Sequence, residues 1–328
     1  MTTVLVTGGA GYIGSITVQH LHECGYQVVV LDSLEQGFRA ALPDVALIEG
    51  TTADAALLDR VFAERHFDAV IHFAAYKAAN ESVAQPLRYF QNNLGGTMTL
   101  LDAMKRAGVR HFVFSSSAAV YGTPDYTPVD EAHPTRPESP YGESKLLVER
   151  MLRWLDASGD IRSASLRYYN AAGATLDGSM GEASERTENL IPAVMKAILG
   201  SGPALRVFGT DYPTPDGTAV RDYVHVLDLA DAHARALAFL TAQNRSDIFN
   251  LGTGEGSSVR QVLGTAERIS GRSVPVTFAG RRAGDPVAVW ADTRKAADVL
   301  GWRARYDLDT IIESSWRWHS THPNGYQQ

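Results

Sequence analysis

Thr7-Gly8-Gly9-Ala10-Gly11-Tyr12-Ile13-Gly14 decides how the rest of the chain is read. The apolar run Val4-Leu5-Val6 leads into it as a strand, and residues 12–24 read as the helix leading out. Glycines at 8, 11 and 14 let a backbone turn tightly and approach a ligand without Cβ clashes. They also aim the free N–H groups of a helix N-terminus at a diphosphate. A second strand at residues 27–31 ends in Asp32, 18 residues beyond Gly14, where a carboxylate meets the ribose of a dinucleotide. Glycine-rich strand ends also serve packing alone, but strand, helix and acidic residue in register favour dinucleotide binding.

With 328 residues the chain is one large domain or two sharing a boundary. A 45% hydrophobic and 20% charged composition fits a soluble globular protein with a sizeable core. A net charge of −7 argues against general nucleic-acid binding. The single cysteine, Cys24, excludes an intrachain disulfide framework and the common zinc spacings, so no metal site is expected. Its place in the first helix suggests a buried, inert thiol. No apolar run reaches transmembrane length and the N-terminus starts directly in a strand, without a signal or transit peptide. The expectation is a cytoplasmic protein with no membrane partner.

Strand and helix patterns alternate through the first half. Residues 45–48, 69–73 and 111–114 read as strands, with helices at 53–64 and 86–107. Residues 122–140 hold five of the 14 prolines and read as a surface loop. Ser139-Pro140 then looks like an N-cap with proline at the first helical position, starting a helix over 141–154. A strand follows at 163–168. This alternation predicts an α/β fold: a Rossmann-type, doubly wound parallel sheet with ligands at the carboxyl ends of its strands. After Asn170 the pattern weakens into a smaller, mixed α/β substrate domain. Residues 178–188 read as a loop or lid, 189–199 as a helix, 205–208 as a short strand and 211–217 as a loop. Residues 221–226, a helix to 241 and a strand at 248–251 look like a return to the main sheet. The tail adds helices at 258–270 and 308–320 and a strand near 274–278. The domain reading is therefore 1–170 for the dinucleotide, with segments near 220–252 returning to it, and 171–328 mainly for substrate.

Tyr141 and Lys145 lie four apart on a predicted helix and share one face. They follow the serine-rich strand end Ser115-Ser116-Ser117 by 24 residues, counted from Ser117 to Tyr141. Together these residues resemble the short-chain dehydrogenase/reductase superfamily in its extended branch. A tyrosine with a pKa near 10 is a poor base at neutral pH, and a nearby ammonium and an oxidised nicotinamide both favour the phenolate. Lys145 is expected to supply that ammonium, and Ser117 to hydrogen-bond the reacting oxygen.

The resemblance narrows to the UDP-glucose 4-epimerase family over essentially the whole chain. It is carried by residues 7–15, 73–82, 115–122, 139–145, 166–170, 207–226, 249–252 and 281–291. Phe208-Gly209 with Asp211-Tyr212-Pro213-Thr214, then Asp216-Gly217-Thr218 and Arg221-Asp222-Tyr223, is the most specific part. The resemblance implies tightly held NAD, a UDP-hexose substrate and transient oxidation at C4. The 4-keto sugar then turns and receives the hydride on its other face. Ser117, Tyr141 and Lys145 match the catalytic positions. Gly8, Gly11, Tyr12, Ile13, Gly14, Asp32, Ser33, Thr51, Thr52, Phe73, Ala74, Ala75, Lys77, Asn92 and Tyr169 match NAD contacts, as do the catalytic three. Lys77, Ser117, Tyr141, Asn170, Asn189, Leu190, Val207, Phe208, Arg221, Arg282, Asp285 and Val289 match UDP-sugar contacts. The family also implies a homodimer formed through helices including 86–107 and 141–154.

Three positions depart from the family pattern. Thr51 stands where an aspartate usually receives the adenine amino group, which implies NAD held less tightly by about 1 kcal/mol, measurable as NAD retention in Thr51→Asp. Ala119 replaces a common threonine near the substrate. Val289 replaces a pocket tyrosine that accompanies restriction to glucose and galactose, so UDP-GlcNAc and UDP-GalNAc are expected as further substrates. A second glycine cluster, Gly252-Thr253-Gly254-Glu255-Gly256, reads as a loop near the site, because no acidic strand end follows it. A 4,6-dehydratase would need an acid–base pair just after Ser117, where Ala118-Ala119 offers none. A UDP-pentose 4-epimerase stays open as an alternative, and a non-catalytic NAD-sensing regulator is the alternative of another class.

Overall fold

The structure, a computed structural model, describes residues 2–183, 189–282 and 285–326. Seven parallel strands make the main sheet: Thr3–Thr7 (β1), Gln27–Asp32 (β2), Ala46–Glu49 (β3), Ala69–His72 (β4), His111–Ser117 (β5), Arg162–Tyr168 (β6) and Asp247–Leu251 (β7). Their order is β7-β6-β5-β4-β1-β2-β3, which reverses between β1 and β4 and opens a crevice at the carboxyl ends there.

The sheet is covered on both faces, and the pleat sorts its residues. Val4, Val6, Val30 and Ile71 point to a core completed by Val18 and Leu21 of helix Tyr12–Glu23 (α1) and Leu229 and Leu237 of Val226–Gln243. Leu5, Val29, Leu31 and Val70 point the other way. They meet Leu58 of Ala55–Glu64, Leu100 of Gly96–Ala107 and Val148 of helix Pro140–Ala157 (α2). A third core joins helices Leu190–Leu199, Val259–Ser270 and Leu308–Thr321 to the parallel pair Leu205–Phe208 and Val276–Ala279.

Several expectations shift at this level. Of residues 220–252, only β7 joins the main sheet. Val220–Arg221 sits between Ser257–Ser258 and Ala288–Val289, and Tyr223–His225 pairs with Asn170–Ala172. The long helix over 86–107 is three pieces: Pro86–Tyr89, a π turn Phe90–Gly95 and Gly96–Ala107, preceded by a short helix Ala79–Ala84. Helix Arg294–Leu300 was not expected, and Ala296 and Leu300 bury it against the first core. Cys24 is exposed rather than buried, because it caps the end of α1 and has left the apolar stripe. The expected lid at 178–188 is described only to residue 183, and residues 184–188 lie outside the described residues. Among the described residues no helix is long and apolar enough to cross a membrane.

Candidate active site

The glycines of the opening stretch divide into two kinds. Gly8 has φ of 73°, and a Cβ there would lie 2.4 Å from the backbone N of Ala74. A Cβ on Gly14 would lie 2.2 Å from the carbonyl oxygen of Gly8, so that glycine is what lets α1 pack against the turn. Gly11 is different, because a Cβ there would meet its nearest protein atom only at 3.4 Å. No packing inside the chain requires its bareness. α1 begins at this residue with no side-chain cap and no acidic residue in its first turn, leaving its N–H groups for an anion. The turn thus fits the diphosphate of NAD.

The other dinucleotide residues line the same crest, just past the carboxyl ends of β1 to β6. Asp32 accepts the N–H groups of Ala10 at 2.9 Å and Leu34 at 2.8 Å, and burial raises its pKa against their pull. Leu34 takes the left-handed φ of 57° that this tight turn demands. Ser33 and Thr51 are exposed and turn to their own backbone, receiving Glu35 N–H at 3.4 Å and Ala53 N–H at 3.3 Å. Thr52 is buried against Gly96, where a Cβ would lie 2.7 Å from its hydroxyl. Phe73 packs its ring 4.5 Å from that of His233, and Ala74 and Ala75 continue along the crest. Tyr12 donates to the carbonyl of Gly173 at 2.6 Å, and Ile13 packs on the first core.

α2 brings the reacting pair. Ser139 caps it, accepting Gly142 N–H at 3.1 Å, and Pro140 opens its first turn as expected. Lys145 is buried one turn below Tyr141. Its ammonium donates to the Ser115 carbonyl at 2.8 Å and stands 5.9 Å from the centre of the Tyr141 ring. Burial pulls the Lys145 pKa down to about 7, with Glu149 pushing it back up. Burial raises the Tyr141 phenol, and the groups that pull it down are the Ser117 hydroxyl and the charge of Lys77. The Lys145 ammonium is thus anchored at the Ser115 carbonyl beneath the Tyr141 ring. Lys77 is held at 3.0 Å by the buried carboxylate of Glu182.

The π turn supports this arrangement. Asn92 donates to Asn93 Oδ1 at 3.0 Å, and Asn93 bridges Tyr76 N–H at 2.9 Å, Tyr76 O at 3.0 Å and Ser144 Oγ at 3.1 Å. π turns of this kind recur at functional sites. Thr97 donates to Asn93 O at 2.6 Å, so its hydroxyl accepts from His72 Nε2–H at 2.8 Å, and His72 Nδ1 accepts from Thr7 Oγ1 at 2.6 Å. One bonded path thus runs from the nucleotide turn to α2.

On the substrate side, Asp285 gathers two arginines: Arg221 Nη2 at 3.3 Å and Arg282 Nε at 3.9 Å. The Arg282 guanidinium also lies 4.4 Å over the ring of Phe208. Asn170 donates to the Asp222 carbonyl at 3.0 Å. Asn189 is exposed at the start of helix Leu190–Leu199, where it makes no capping bond, and Leu190 packs on the third core. Val207 is buried inside that core, leaving Phe208 beside it as the more accessible side chain. Val289 lies in register with Arg221 and, like Ala118 and Tyr169, packs against the buried cluster of Val120, Tyr121, Val129 and Leu146. The hydroxyl of Tyr169 is buried without a partner, a polar atom aimed at something the chain does not supply. The second glycine cluster serves packing: Cβ atoms on Gly252 and Gly256 would lie 2.2 Å from Asp222 Oδ2 and 2.3 Å from Val220 Cγ1.

Sequence reasoning missed Glu182, Asn93, His72, Glu149 and Arg167. The last two carried a legible signal, a carboxylate four residues past Lys145 and an arginine inside an otherwise buried strand.

Residues 4–252 match the NAD dependent epimerase/dehydratase family. A UDP-glucose 4-epimerase of Lacticaseibacillus casei is 46% identical over 326 residues, covering 99% of this chain and 98% of that one. Among solved structures, the UDP-glucose-4-epimerase of Stenotrophomonas maltophila, with bound NAD and formylated UDP-arabinopyranose, superposes with a TM-score of 0.96. It is 42% identical and covers 98% of this chain and 99% of its own. The Bifidobacterium longum enzyme, in complex with NAD+ and UDP, gives a TM-score of 0.93 at 42% identity, covering 99% of this chain and 100% of its own. The chain belongs to the NAD-dependent epimerase/dehydratase family and, within it, to the UDP-glucose 4-epimerases, isomerases that work with NAD.

Proposed function

We propose that the chain interconverts UDP-glucose and UDP-galactose, with Tyr141 as the acid–base group, Ser117 as its hydrogen-bonding partner on the sugar 4-oxygen, and Lys145 and Lys77 as the flanking cations. The observation that carries this reading is the meeting of Tyr141, Ser117 and Lys77 above a buried lysine, beside a crest shaped for a dinucleotide. NAD, when bound, would supply the hydride acceptor and donor for sugar C4. Tyr141 takes the proton of the 4-hydroxyl and gives it back, and Ser117 holds the same oxygen through both steps. Arg221 and Arg282 grip the diphosphate, so the planar 4-keto sugar turns about that link without leaving. Tyr141→Phe is expected to lose about a thousandfold in turnover of UDP-galactose while still binding NAD, a loss in the range of general acid–base catalysis. Turnover within tenfold of the parent would sink the assignment. A non-catalytic NAD sensor would bind NAD without turnover in the parent itself.

Valine in place of the family's tyrosine at position 289 also supports UDP-GlcNAc and UDP-GalNAc as substrates. A UDP-pentose 4-epimerase is the second reading, favoured by the UDP-arabinopyranose derivative bound by the Stenotrophomonas maltophila enzyme. We divide the chain into an NAD-binding part, 1–170 with β7 and its preceding helix, and a mainly UDP-sugar-binding part after it. The partner is a second copy of the chain. Leu87, Met98 and Trp154 are 73%, 52% and 71% exposed on the helices expected at the dimer face, and Val83, 63% exposed, lies on the short helix just before them. A solution mass of two chains checks this, and a mass of one overturns it. The single cysteine and acidic, ordinary composition fit a cytoplasmic enzyme.

A further inference from the structure

Glu149 lies one turn beyond Lys145 on α2, with its side chain 3% exposed, and three donors hold its carboxylate. Ser116 Oγ and Arg167 Nε donate to Oε1 at 2.6 Å and 2.9 Å, and Arg167 Nη2 donates to Oε2 at 2.5 Å. Arg167, 5% exposed, also donates to the Tyr121 hydroxyl at 2.9 Å, which donates on to Asn250 Oδ1 at 2.7 Å. Each member of this cluster adjoins a part of the site. Ser116 precedes Ser117 at the end of β5, and Arg167 precedes Tyr168 and Tyr169 at the end of β6. Glu149 shares α2 with Tyr141 and Lys145. Stability alone does not account for the pair, since buried ion pairs are often replaced by apolar side chains without loss.

We propose that Glu149 is a positioning residue for the epimerisation: paired with Arg167 it clamps β5, β6 and α2 in one register, and its negative charge keeps Lys145 an ammonium. This rests on the reading of Tyr141 and Lys145 given above. The groups that face Lys145 among the described residues leave Glu149 as that anion. β4 contributes His72, neutral because burial and the Lys145 charge hold it near 3. β5 contributes the Ser115 carbonyl and the Phe114 ring, 4.9 Å from the ammonium. β6 contributes Tyr168, a phenol raised by burial, and Arg167, whose cation is paired with Glu149. On α2 itself stands Tyr141, also raised by burial, and Lys77, facing Tyr141 from beyond β4, is paired with Glu182. Burial draws Lys145 toward neutrality, and Glu149 is the charge that opposes it.

The test compares Glu149→Gln, the double exchange Glu149→Met with Arg167→Met, and Lys145→Met, all as NAD-loaded protein. Glu149→Gln leaves the Arg167 cation buried without its partner, whereas the double exchange removes the whole pair and leaves no uncompensated buried charge. Two quantities are read: the pH profile of kcat and KM with UDP-galactose, and the titration of Lys145 by NMR with isotope-labelled lysine, its signal assigned by its loss in Lys145→Met. The expected result is that the alkaline limb of kcat and the Lys145 midpoint both fall by about one pH unit in whichever Glu149 variant folds, with KM little changed. A folded variant whose limb and midpoint stay at the parent values overturns the proposal. If Lys145→Met keeps its turnover, the catalytic reading fails instead, and the Lys145 midpoint still decides whether Glu149 sets its charge.

Discussion

At the scale of single residues, spacing made some of the chemistry legible and burial supplied the rest. Tyr141 and Lys145 announce themselves four apart after a capping serine and proline, and α2 places them as that spacing requires. What spacing does not carry is which cation reaches the phenol, because that depends on where a long side chain is anchored. Lys145 is held by Ser115, and Lys77, which the resemblance places among the cofactor and sugar contacts, is held by Glu182 from 105 residues away. Val289 shows the same limit in a useful form. It packs on the same buried cluster as Tyr169 and Ala118, and its strand register sets it opposite Arg221. Val289→Tyr is expected to lower kcat/KM for UDP-GlcNAc by about a hundredfold while leaving UDP-galactose within a few-fold, the asymmetry of a steric exclusion. A panel of UDP-hexoses, UDP-N-acetylhexosamines and UDP-pentoses checks it, and no turnover of N-acetyl sugars by the active parent would remove the idea.

At the scale of elements, the parallel sheet was readable because each strand is short, apolar and followed by a helix signal. The pieces that escaped are those whose form is set by neighbours. Residues 86–107 carry a continuous helical pattern, yet the helix widens into a π turn at Phe90–Gly95, where Asn93 bonds the Tyr76 backbone and Ser144. Tertiary hydrogen bonds overrode local propensity. The glycine turn yields a sharper test, since its glycines do different things. Gly14→Ala drives a Cβ into the Gly8 backbone and is expected to cost about 3 kcal/mol, seen as a fall in melting temperature with or without NAD. Gly11→Ala has φ of −76° and room for a methyl group, so apo stability should change by under about 1 kcal/mol while NAD affinity falls at least tenfold. Calorimetry of the apo proteins and an NAD titration separate the two effects. Equal losses of apo stability in both variants would contradict the division.

For the whole molecule, buried histidines tie stability to pH. His72, His225, His233 and His319 are all buried and held neutral, at about 3 for the first and about 4 for the other three, with burial the leading cause in each. A histidine depressed in the folded state binds its proton more readily once unfolded, so its contribution is fully present above the unfolded value near 6.5. That contribution is lost as pH falls from about 6.5 toward about 4. Unfolding near pH 5 takes up close to four protons, a slope of at most roughly 5 kcal/mol per pH unit. Asp32, Asp222 and Asp228, raised by burial, oppose this at the acid end, since they hold protons in the folded state. The histidines sit on the main sheet, under it and in the final helix, so acid should unfold the chain as a unit. Melting temperature followed from about pH 7.5 to 4.5 is expected to fall steeply below 6.5, and a flat profile to pH 5 would refute the linkage. His225 offers the internal control. Its Nδ1 accepts Leu227 N–H at 3.1 Å as the cap of the helix that follows, a duty an asparagine performs without titrating. His225→Asn should therefore keep the cap and reduce the acid slope by about one proton of the four.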